Sequence, residues 1–271
     1  MTAGGRPAEP EVIWSRPQRT GRGPRPAHSR ESIAAEAVRV ADALGIEAVS
    51  MRRVASGIGA GTMSLYNYVP RKEDLYELMV DAVSGEYDFA RPTGDWRADM
   101  LALARQTRAL MHRHPWLPGL LSPVYGFSPN ALRYLEHSLD CLAPLEVPDA
   151  EKLELVAAVN GSVATYVTGE LALAERARSL PWSEAQEQAV RTAWLGSCLA
   201  TGQYPRLAAA FTGGGPVPGA GLDMAAVFDR TLTRLLGAWD PGAAPDADPG
   251  SASDAGQGSA SDAGPAADPP S

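Results

Sequence analysis

Apolar residues recur at helical spacing along most of this 271-residue chain. Met51, Val54, Ala55 and Ile58 follow the i, i+3, i+4, i+7 pattern, which places four side chains on one face of an α-helix. The sequence contains no sustained alternation of apolar and polar residues between turn signals, the pattern of a half-buried strand. Prolines and glycines divide the helical stretches into segments. The sequence therefore predicts an all-α fold.

Four helical segments begin within residues 30–83. Ser29 is placed to cap the first segment, and Gly45 supplies the positive φ that commonly ends a helix. Ser50 is placed to cap the second, which is about two turns long. A glycine-rich turn then separates it from a short third segment at 62–69.

The fourth segment joins this region to the rest of the chain. Pro70 ends the third segment, and the fourth begins near Arg71 or Lys72. Its apolar stripe allows the helix to extend to Phe89, before a Pro/Gly break. Three short helices that lead into a longer one are typical of a small DNA-binding head attached to a body. We place the boundary at about 83–95.

The body at 95–239 is also helical, and its predicted helices are separated by prolines and a glycine-rich loop. They cover residues 96–112, 130–142, 150–178, 183–200 and 221–239. The ends of the chain have a different composition. Residues 1–29 are rich in Pro, Gly and Arg, and 240–271 in Pro, Ser, Ala, Asp and Gly. Such segments bury too little apolar surface to order, which predicts a disordered basic arm and a disordered acidic tail.

The net charge of −8 argues at first against a nucleic-acid partner, but the charge is unevenly distributed. Residues 1–30 contain six Arg and two Glu, giving +4, whereas 240–271 contain six Asp and no Lys or Arg, giving −6. Arginines beside a DNA-binding head attract phosphate with little geometric demand. The basic arm is therefore either a DNA clamp or a solvated tail.

Several classes of protein are disfavoured by the sequence. It has neither the long apolar stretch of a membrane span nor the apolar segment of a secretory signal, so we expect a cytoplasmic protein without a membrane partner. Cys141 and Cys198 lack the spacing of a metal site or a redox motif. No phosphate loop, nucleophile elbow or HExxH motif is present. We therefore expect no enzyme activity, cofactor or metal.

The run from Val49 to Met79, VSMRRVASGIGAGTMSLYNYVPRKEDLYELM, carries the most specific signal. It resembles the signature of the TetR family of transcriptional regulators. The matching positions are Ser50, Val54, Ala55, Gly59, Ser64, Leu65, Tyr66, Tyr68, Val69, Lys72 and Leu75. The resemblance implies an N-terminal three-helix helix-turn-helix domain, followed by a C-terminal helical domain that dimerises and binds a ligand. It covers only about the first quarter of the chain.

The resemblance implies a DNA-binding surface in which the second helix of the motif enters the major groove. The implied contact residues are Ser50, Arg52, Arg53, Thr62, Met63, Ser64, Tyr66, Asn67, Tyr68 and Lys72. Arg52 suits guanine or phosphate, Met63 a thymine methyl group, and Lys72 a phosphate near a helix N-terminus. Asn67 could pair with adenine or with phosphate. Arg71 departs from the pattern, because the family commonly has a capping residue there.

The body is expected to supply the dimer contacts and an effector pocket. One helix-turn-helix makes few contacts, so two heads about one DNA turn apart are expected, as a homodimer. The helices at 150–178 and 221–239 are the predicted interface. A pocket for an unidentified small molecule needs apolar walls with a few polar groups. Its predicted residues are Trp96, His112, Trp116, Tyr134, His137 and Tyr166.

The sequence thus predicts a regulator bound to double-stranded operator DNA, acting as a repressor that a small-molecule effector releases. Two alternatives stay open: an activator of the same family, and a protein-interaction module with weak DNA binding. The intact segment from Thr62 to Tyr68 favours DNA binding over the second alternative.

Overall fold

The computed structural model describes residues 12–16, 28–121, 127–212 and 223–239. In these residues all regular structure is helical, as the sequence predicted. The helices are α1 (Arg30–Leu44), α2 (Met51–Gly57), α3 (Thr62–Tyr66), α4 (Lys72–Ser84), α5 (Trp96–Arg113), α6 (Leu117–Leu120), α7 (Pro129–Cys141), α8 (Asp149–Ser179), α9 (Glu184–Ala200), α10 (Pro205–Thr212) and α11 (Met224–Ala238). Short 3₁₀ turns lie at Ile13–Ser15 and Ile46–Ala48. The predicted acidic tail at 240–271 lies outside the described residues.

Helices α1 to α4 form the head around one apolar core. Ser29 accepts a hydrogen bond from the Ser32 backbone N–H, and Ser50 from that of Arg53, so both predicted caps are confirmed. Gly45 follows α1 with a φ of 82°, a conformation that costs glycine little. The buried side chains include Ile33, Ala37, Val40, Val54, Leu65, Leu75 and Met79. The stripes predicted from the apolar spacing are the faces that meet in this core.

Both ends of α4 differ from what the sequence pattern allowed. The helix ends at Ser84 and does not continue to Phe89. Its N-terminus is also capped despite Arg71, because the Asp74 carboxylate accepts from the Arg71 backbone N–H at 3.1 Å and from its guanidinium. A carboxylate in the first turn reaches back to the open N–H groups, so the capping role passes from the first position to the fourth.

Residues 12–16 contradict the expectation that all of 1–29 is disordered. Ile13 is fully buried in the head core, and Trp14 packs beside it. Arg30 donates to the Ile13 carbonyl at 2.9 Å and to the Arg16 carbonyl at 3.2 Å. The composition predicted disorder because it averages over the whole segment. Two apolar side chains, Ile13 and Trp14, and the buried guanidinium of Arg30 are enough to hold residues 12–16 against the head. The remainder of the arm lies outside the described residues.

The body packs around α5 and α8. The side of α8 that faces the core carries the buried residues Leu155, Val156, Val159, Val163 and Val167. Helix α11 packs on both α5 and α8 and contributes the buried residues Phe228, Leu232 and Leu236. The five predicted body helices are present, with ends shifted by at most three residues. The short helices α6 and α10 were not predicted from the sequence. Among the described helices, none is long and apolar enough to cross a membrane.

The head and body share a continuous core, with no gap at the predicted boundary of 83–95. Helix α4 packs on α6 and α7, and buried side chains of α4 and α5 belong to one cluster. Asn130 at the start of α7 donates its backbone N–H to Asp81 of α4 at 2.7 Å. A change in the body can therefore reach the head through direct contacts.

Helices α8 to α10 beyond Val167 form an extension, residues 168–212, that covers little of its own apolar surface. No residue described in this extension is buried. Exposed apolar side chains on it are Leu173, Trp182, Val190, Trp194, Tyr204 and Leu207. In the two helices predicted as the dimer interface, Val156, Val167, Leu232 and Leu236 are instead buried inside the protomer.

Candidate DNA-binding surface and effector cavity

The turn between α2 and α3 sets the geometry of the DNA-binding surface. Gly59 has a φ of 71°, in the region where a side chain is strained, and it lets the chain turn sharply between two short helices. Leu65 is 1% exposed and anchors α3 to the core, while Val69 buries the end of the segment. With one side held in this way, the remaining positions of α3 face outward.

The predicted base-contacting residues lie on this outward side. Met63 is 79% exposed and Tyr66 is 43% exposed, which is unusual for large side chains of low polarity. Arg52, Ser64 and Asn67 are exposed, and Thr62 is half-buried at the first turn. Met63 and Tyr66 thus expose largely apolar side chains, and they lie beside polar side chains that include both hydrogen-bond donors and acceptors. This is the mixture that base edges in the major groove require.

A second group of predicted residues borders this surface with capping groups and positive charge. The Ser50 hydroxyl is occupied as the cap of α2, and Arg53 donates to the Ala48 carbonyl at 3.3 Å. Lys72, the first residue of α4, lies over the Tyr76 ring at 5.2 Å. A hydrogen bond with Tyr76 raises the pKa of Lys72, so the ammonium stays charged at a helix N-terminus.

Tyr68 is the one member of the predicted set that packs mainly inward. It is half-buried against the head core, whereas Tyr66 is exposed. The two tyrosines therefore have different surroundings, although the sequence pattern treats them alike. Tyr68 packs against the head core beyond the end of α3, whereas Tyr66 is 43% exposed.

The body contains a cavity of about 460 Å³ directly behind the head. Its walls come from α4 to α8 and are mostly aliphatic. The lining residues are Val80, Val83, Ser84, Tyr87, Thr107, Met111, Leu117, Pro118, Leu121, Ala131, Tyr134, Leu135, Ala157, Asn160, Gly161 and Ala164. None of these residues carries a charged side chain.

Two buried hydrogen-bonded pairs supply the polar groups of the cavity. Tyr134 donates to Asn160 Oδ1 at 2.6 Å, and the Tyr87 hydroxyl lies 2.9 Å from Thr107 Oγ1. Thr107 itself donates to the Leu103 carbonyl, so Tyr87 is the donor of that pair. Burial raises the pKa of both tyrosines, which keeps both hydroxyls protonated. The cavity therefore offers neutral donors and acceptors in an apolar enclosure.

Tyr134 lines this cavity, but the other five predicted pocket residues do not. His112 lies 2.6 Å from Glu170 on the outer side of α5. Trp116 donates to Asp42 of the head, and Tyr166 donates to Thr231 of α11. Trp96 packs under Arg97, and His137 lies against Phe89. These five residues do not share the cavity with Tyr134, because the number of aromatic residues does not predict the direction in which each helix points its rings.

Sequence reasoning missed the polar groups at Tyr87, Thr107 and Asn160. A signal for Thr107 existed: it interrupts the buried stripe that includes Leu103, Ala104 and Leu110 of α5. A polar residue on an apolar stripe must find a partner inside the protein. No such signal marks Tyr87, which lies in the connection between α4 and α5.

The cysteines and acidic residues do not form a second kind of site in the part of the chain that the structure describes. No group of three His, Cys, Asp or Glu side chains there is arranged to hold a metal ion. Cys141 is buried, and burial raises its pKa to about 11, so the thiol is unreactive at neutral pH.

Residues 90–237 match the family described as "Tetracyclin repressor-like, C-terminal domain". This match covers the body, the part of the chain that the helix-turn-helix signature does not reach. The chain belongs to the TetR family. It is therefore a helix-turn-helix transcriptional regulator, and most of the cavity lining lies in the domain that this TetR-family match covers, the rest coming from α4 and Tyr87.

Two TetR-family relatives align with most of the chain. The HTH-type transcriptional repressor DrrR1 of Streptomyces coeruleorubidus is 37% identical over 202 residues, which cover 73% of this chain and 74% of the relative. An HTH-type transcriptional regulator of Saccharopolyspora erythraea is 32% identical over 223 residues, covering 82% and 88%. Both alignments are too long to lie within the helix-turn-helix segment alone.

The fold agrees with that of solved TetR-family proteins. The crystal structure of Streptomyces coelicolor ActR in complex with actinorhodin superposes with a TM-score of 0.65 at 22% identity, covering 78% of this chain and 94% of that one. The apo form of ActR gives a TM-score of 0.61 at 21% identity. At this identity the likeness establishes the all-helical fold and its helix order.

Proposed function

We propose that this TetR-family protein is a homodimeric repressor, without enzyme activity, that occupies operator DNA in the cytoplasm and is released by a small molecule. The head binds DNA through α2, α3 and the start of α4. The cavity behind it takes the effector. The observation that carries the DNA-binding part is the outward face of α3, where Met63 and Tyr66 are exposed although Leu65 anchors the helix in the core.

The exposed side chains support a division of labour on DNA. Met63 offers an apolar contact for a thymine methyl group, and Arg52 offers the forked donors that suit guanine O6 and N7. Lys72 begins α4, where an ammonium and open N–H groups together favour a phosphate. In this proposal Arg52 and Met63 determine sequence preference, and Lys72 supplies affinity without it.

The composition of the cavity supports a particular class of effector. A buried charge without a partner is costly, and the lining provides no charged side chain to pair with one. Tyrosine, threonine and asparagine groups suit hydroxyl and carbonyl oxygens. We therefore assign an uncharged, mainly apolar molecule with a few oxygen substituents. The TetR-family protein ActR has been crystallised with actinorhodin, and another relative is named a repressor.

The extension formed by residues 168–212 supports the homodimer. Val190 and Trp194 lie one turn apart on α9, and each is 70% exposed. Tryptophan at this exposure is typical of a contact surface and not of a free one. A second copy would cover this face while placing two heads on one stretch of DNA.

The experiment that tests the proposal is selection of bound duplexes from a random pool, followed by titration of the variants Arg52→Ala and Lys72→Ala. Arg52→Ala should relax base preference at one position by about 5- to 100-fold, since a bidentate contact is worth roughly 1–3 kcal/mol. Lys72→Ala should weaken all sequences alike and lower the slope of log Kd against log salt by about 1.

Arg105→Ala is the matched control. It also removes one positive charge, but Arg105 lies in the body, where it pairs with Asp229. Arg105→Ala should change neither the base preference nor the slope of log Kd against log salt. Equal effects of Arg52→Ala and Lys72→Ala would contradict the assigned roles. Failure of the unmodified dimer to prefer any duplex over bulk DNA would contradict the proposed function itself.

A further inference from the structure

A polar cluster joins the head to the body at the corner between α5 and α6. Asp42 of α1 accepts two hydrogen bonds at the same oxygen, from His114 Nδ1 at 2.8 Å and from Trp116 Nε1 at 2.7 Å. An ionised carboxylate only accepts hydrogen bonds, so Nδ1 carries the proton. Both donors are more than 70 residues away in the sequence. They form a direct link between the first helix of the head and the body.

The link is protected from water on the body side. The residues His114 and Trp116 are 4% and 6% exposed, whereas the Asp42 side chain is 32% exposed. Low local dielectric strengthens such hydrogen bonds and makes an unpaired donor costly. Breaking the hydrogen bonds that hold the corner to α1 would therefore leave buried donors unpaired, at a cost in free energy.

The other edge of the His114 ring faces a second carboxylate. Its Nε2 lies 3.2 Å from Glu86 Oε1 without the alignment of a hydrogen bond, and Arg113 binds the other Glu86 oxygen at 2.5 Å. Glu86 follows α4 by two residues. One carboxylate in the last turn of α1 and one just beyond the end of α4 thus flank the same corner.

The corner continues directly into the wall of the cavity. Trp116 is followed by Leu117 and Pro118, which line the cavity, and Met111 lines it one turn before His114. The segment between them is a tight turn and one helical turn, so a displacement of the wall cannot be absorbed over a long loop. A molecule that moves α6 must move Trp116 or bend the chain next to it.

We propose that Asp42 is the coupling residue of this protein, through which occupancy of the cavity reaches the DNA-binding head. Filling the cavity shifts the α5–α6 corner, and the hydrogen bonds to Asp42 convey that shift to α1. This inference rests on the proposed function in one respect, that the cavity is the effector site. Asp42 touches neither the DNA-facing residues nor the cavity, so it acts by position.

The test uses cavity-filling substitutions in the full chain, because they occupy the site without an identified effector. Ala131→Met and Ala164→Met each add a flexible side chain to the lining, from α7 and α8 respectively. Amide hydrogen exchange is measured over the last turns of α1, with and without Asp42→Ala. Trp116→Phe, which removes one donor but keeps a ring, serves as a second break of the link.

Each cavity-filling variant, Ala131→Met or Ala164→Met, should change the exchange rate of the α1 amides about fivefold or more, which is within the usual range of coupling between sites. The change should fall below about twofold with Asp42→Ala and should shrink with Trp116→Phe. Asp99→Ala is the matched control, since Asp99 also accepts two hydrogen bonds, from Thr93, but within the body. It should leave the response intact.

Two results would overturn the inference: no change in α1 exchange with either filler, or an equal change with and without Asp42→Ala. Titration of a selected duplex supplies a second readout, in which the fillers weaken DNA binding and Asp42→Ala removes that weakening. Failure of all variants and of the unmodified protein to bind DNA would count against the proposed function alone. The exchange measurement needs no DNA and still decides the role of Asp42.

Discussion

The head and the extension at 168–212 differ in how completely each covers its own apolar surface. In the head, Ile33, Leu65, Leu75 and Met79 are at most 1% exposed, and even the segment at 12–16 is docked. In the extension no described residue is buried, and Trp194 is 70% exposed. The head therefore buries its apolar side chains within one protomer, whereas the extension leaves large apolar side chains exposed.

Glu170 marks the point where α8 passes from one kind of region to the other. Arg108 donates to it through two nitrogens, and His112 lies 2.6 Å away. The last buried residue of α8, Val167, is less than one turn earlier. Beyond this point α8 forms ion pairs nearer the surface, such as the Arg176–Glu187 pair. A part-buried ion pair thus anchors the helix where it leaves the core.

The largest effect is expected at the docked N-terminal segment, which tests whether the head is complete without it. Ile13→Ala should lower the free energy of unfolding by about 2–4 kcal/mol, because the side chain is fully buried. Val12→Ala is the control, since Val12 is 56% exposed and should cost less than about 0.5 kcal/mol. Urea unfolding followed by circular dichroism measures both. Equal losses would show that the segment is not part of the head core.

The next effect tests the extension. Trp194→Glu should weaken dimerisation by roughly 30-fold or more, corresponding to about 2 kcal/mol for a central aromatic contact. Ala185→Glu adds the same charge to the opposite side of α9 and should leave the dimer unchanged. Sedimentation equilibrium of both variants decides the question. A Trp194→Glu protein with the unmodified dimer affinity would place the interface elsewhere.

The smallest effect concerns the anchor between the two regions. Burial opposes ionisation of Glu170, but the hydrogen bonds from Arg108 and His112 outweigh it and hold its pKa below the ordinary value. Glu170→Gln should therefore cost about 1–3 kcal/mol at neutral pH. Because the pKa is lowered in the folded state, this contribution is complete above the ordinary glutamate pKa of about 4.3 and is lost as the pH falls through the folded value.

Urea unfolding between pH 7 and pH 3 measures this dependence. The difference in the free energy of unfolding between Glu170→Gln and the unmodified protein should disappear toward pH 3. Glu175→Gln is the control on the same helix, since its pair with Arg178 is exposed and should contribute little. A gap that does not change with pH would mean that the ionised form of Glu170 is not what anchors α8.

Local pattern predicted more of the head than of the cavity. The caps at Ser29 and Ser50 and the buried stripe of α2 follow from residues a few positions apart, which interact whatever the rest of the chain does. Five aromatic residues assigned to the pocket face elsewhere, because the rotation of one helix against another depends on distant partners. Thr107 and Asn160 became cavity residues only through such packing.

The sequence by itself determined the helical fold class and, through its resemblance to the TetR signature, the helix-turn-helix, since the helices depend on short-range spacing and on backbone groups that must be capped nearby. Only the tertiary structure decided that Ile13 belongs to the head core, that the cavity is uncharged, and that Asp42 meets His114 and Trp116. Those features join residues far apart in the chain. Their contacts form only when the apolar faces of several helices are buried together, and no local pattern records which faces will meet.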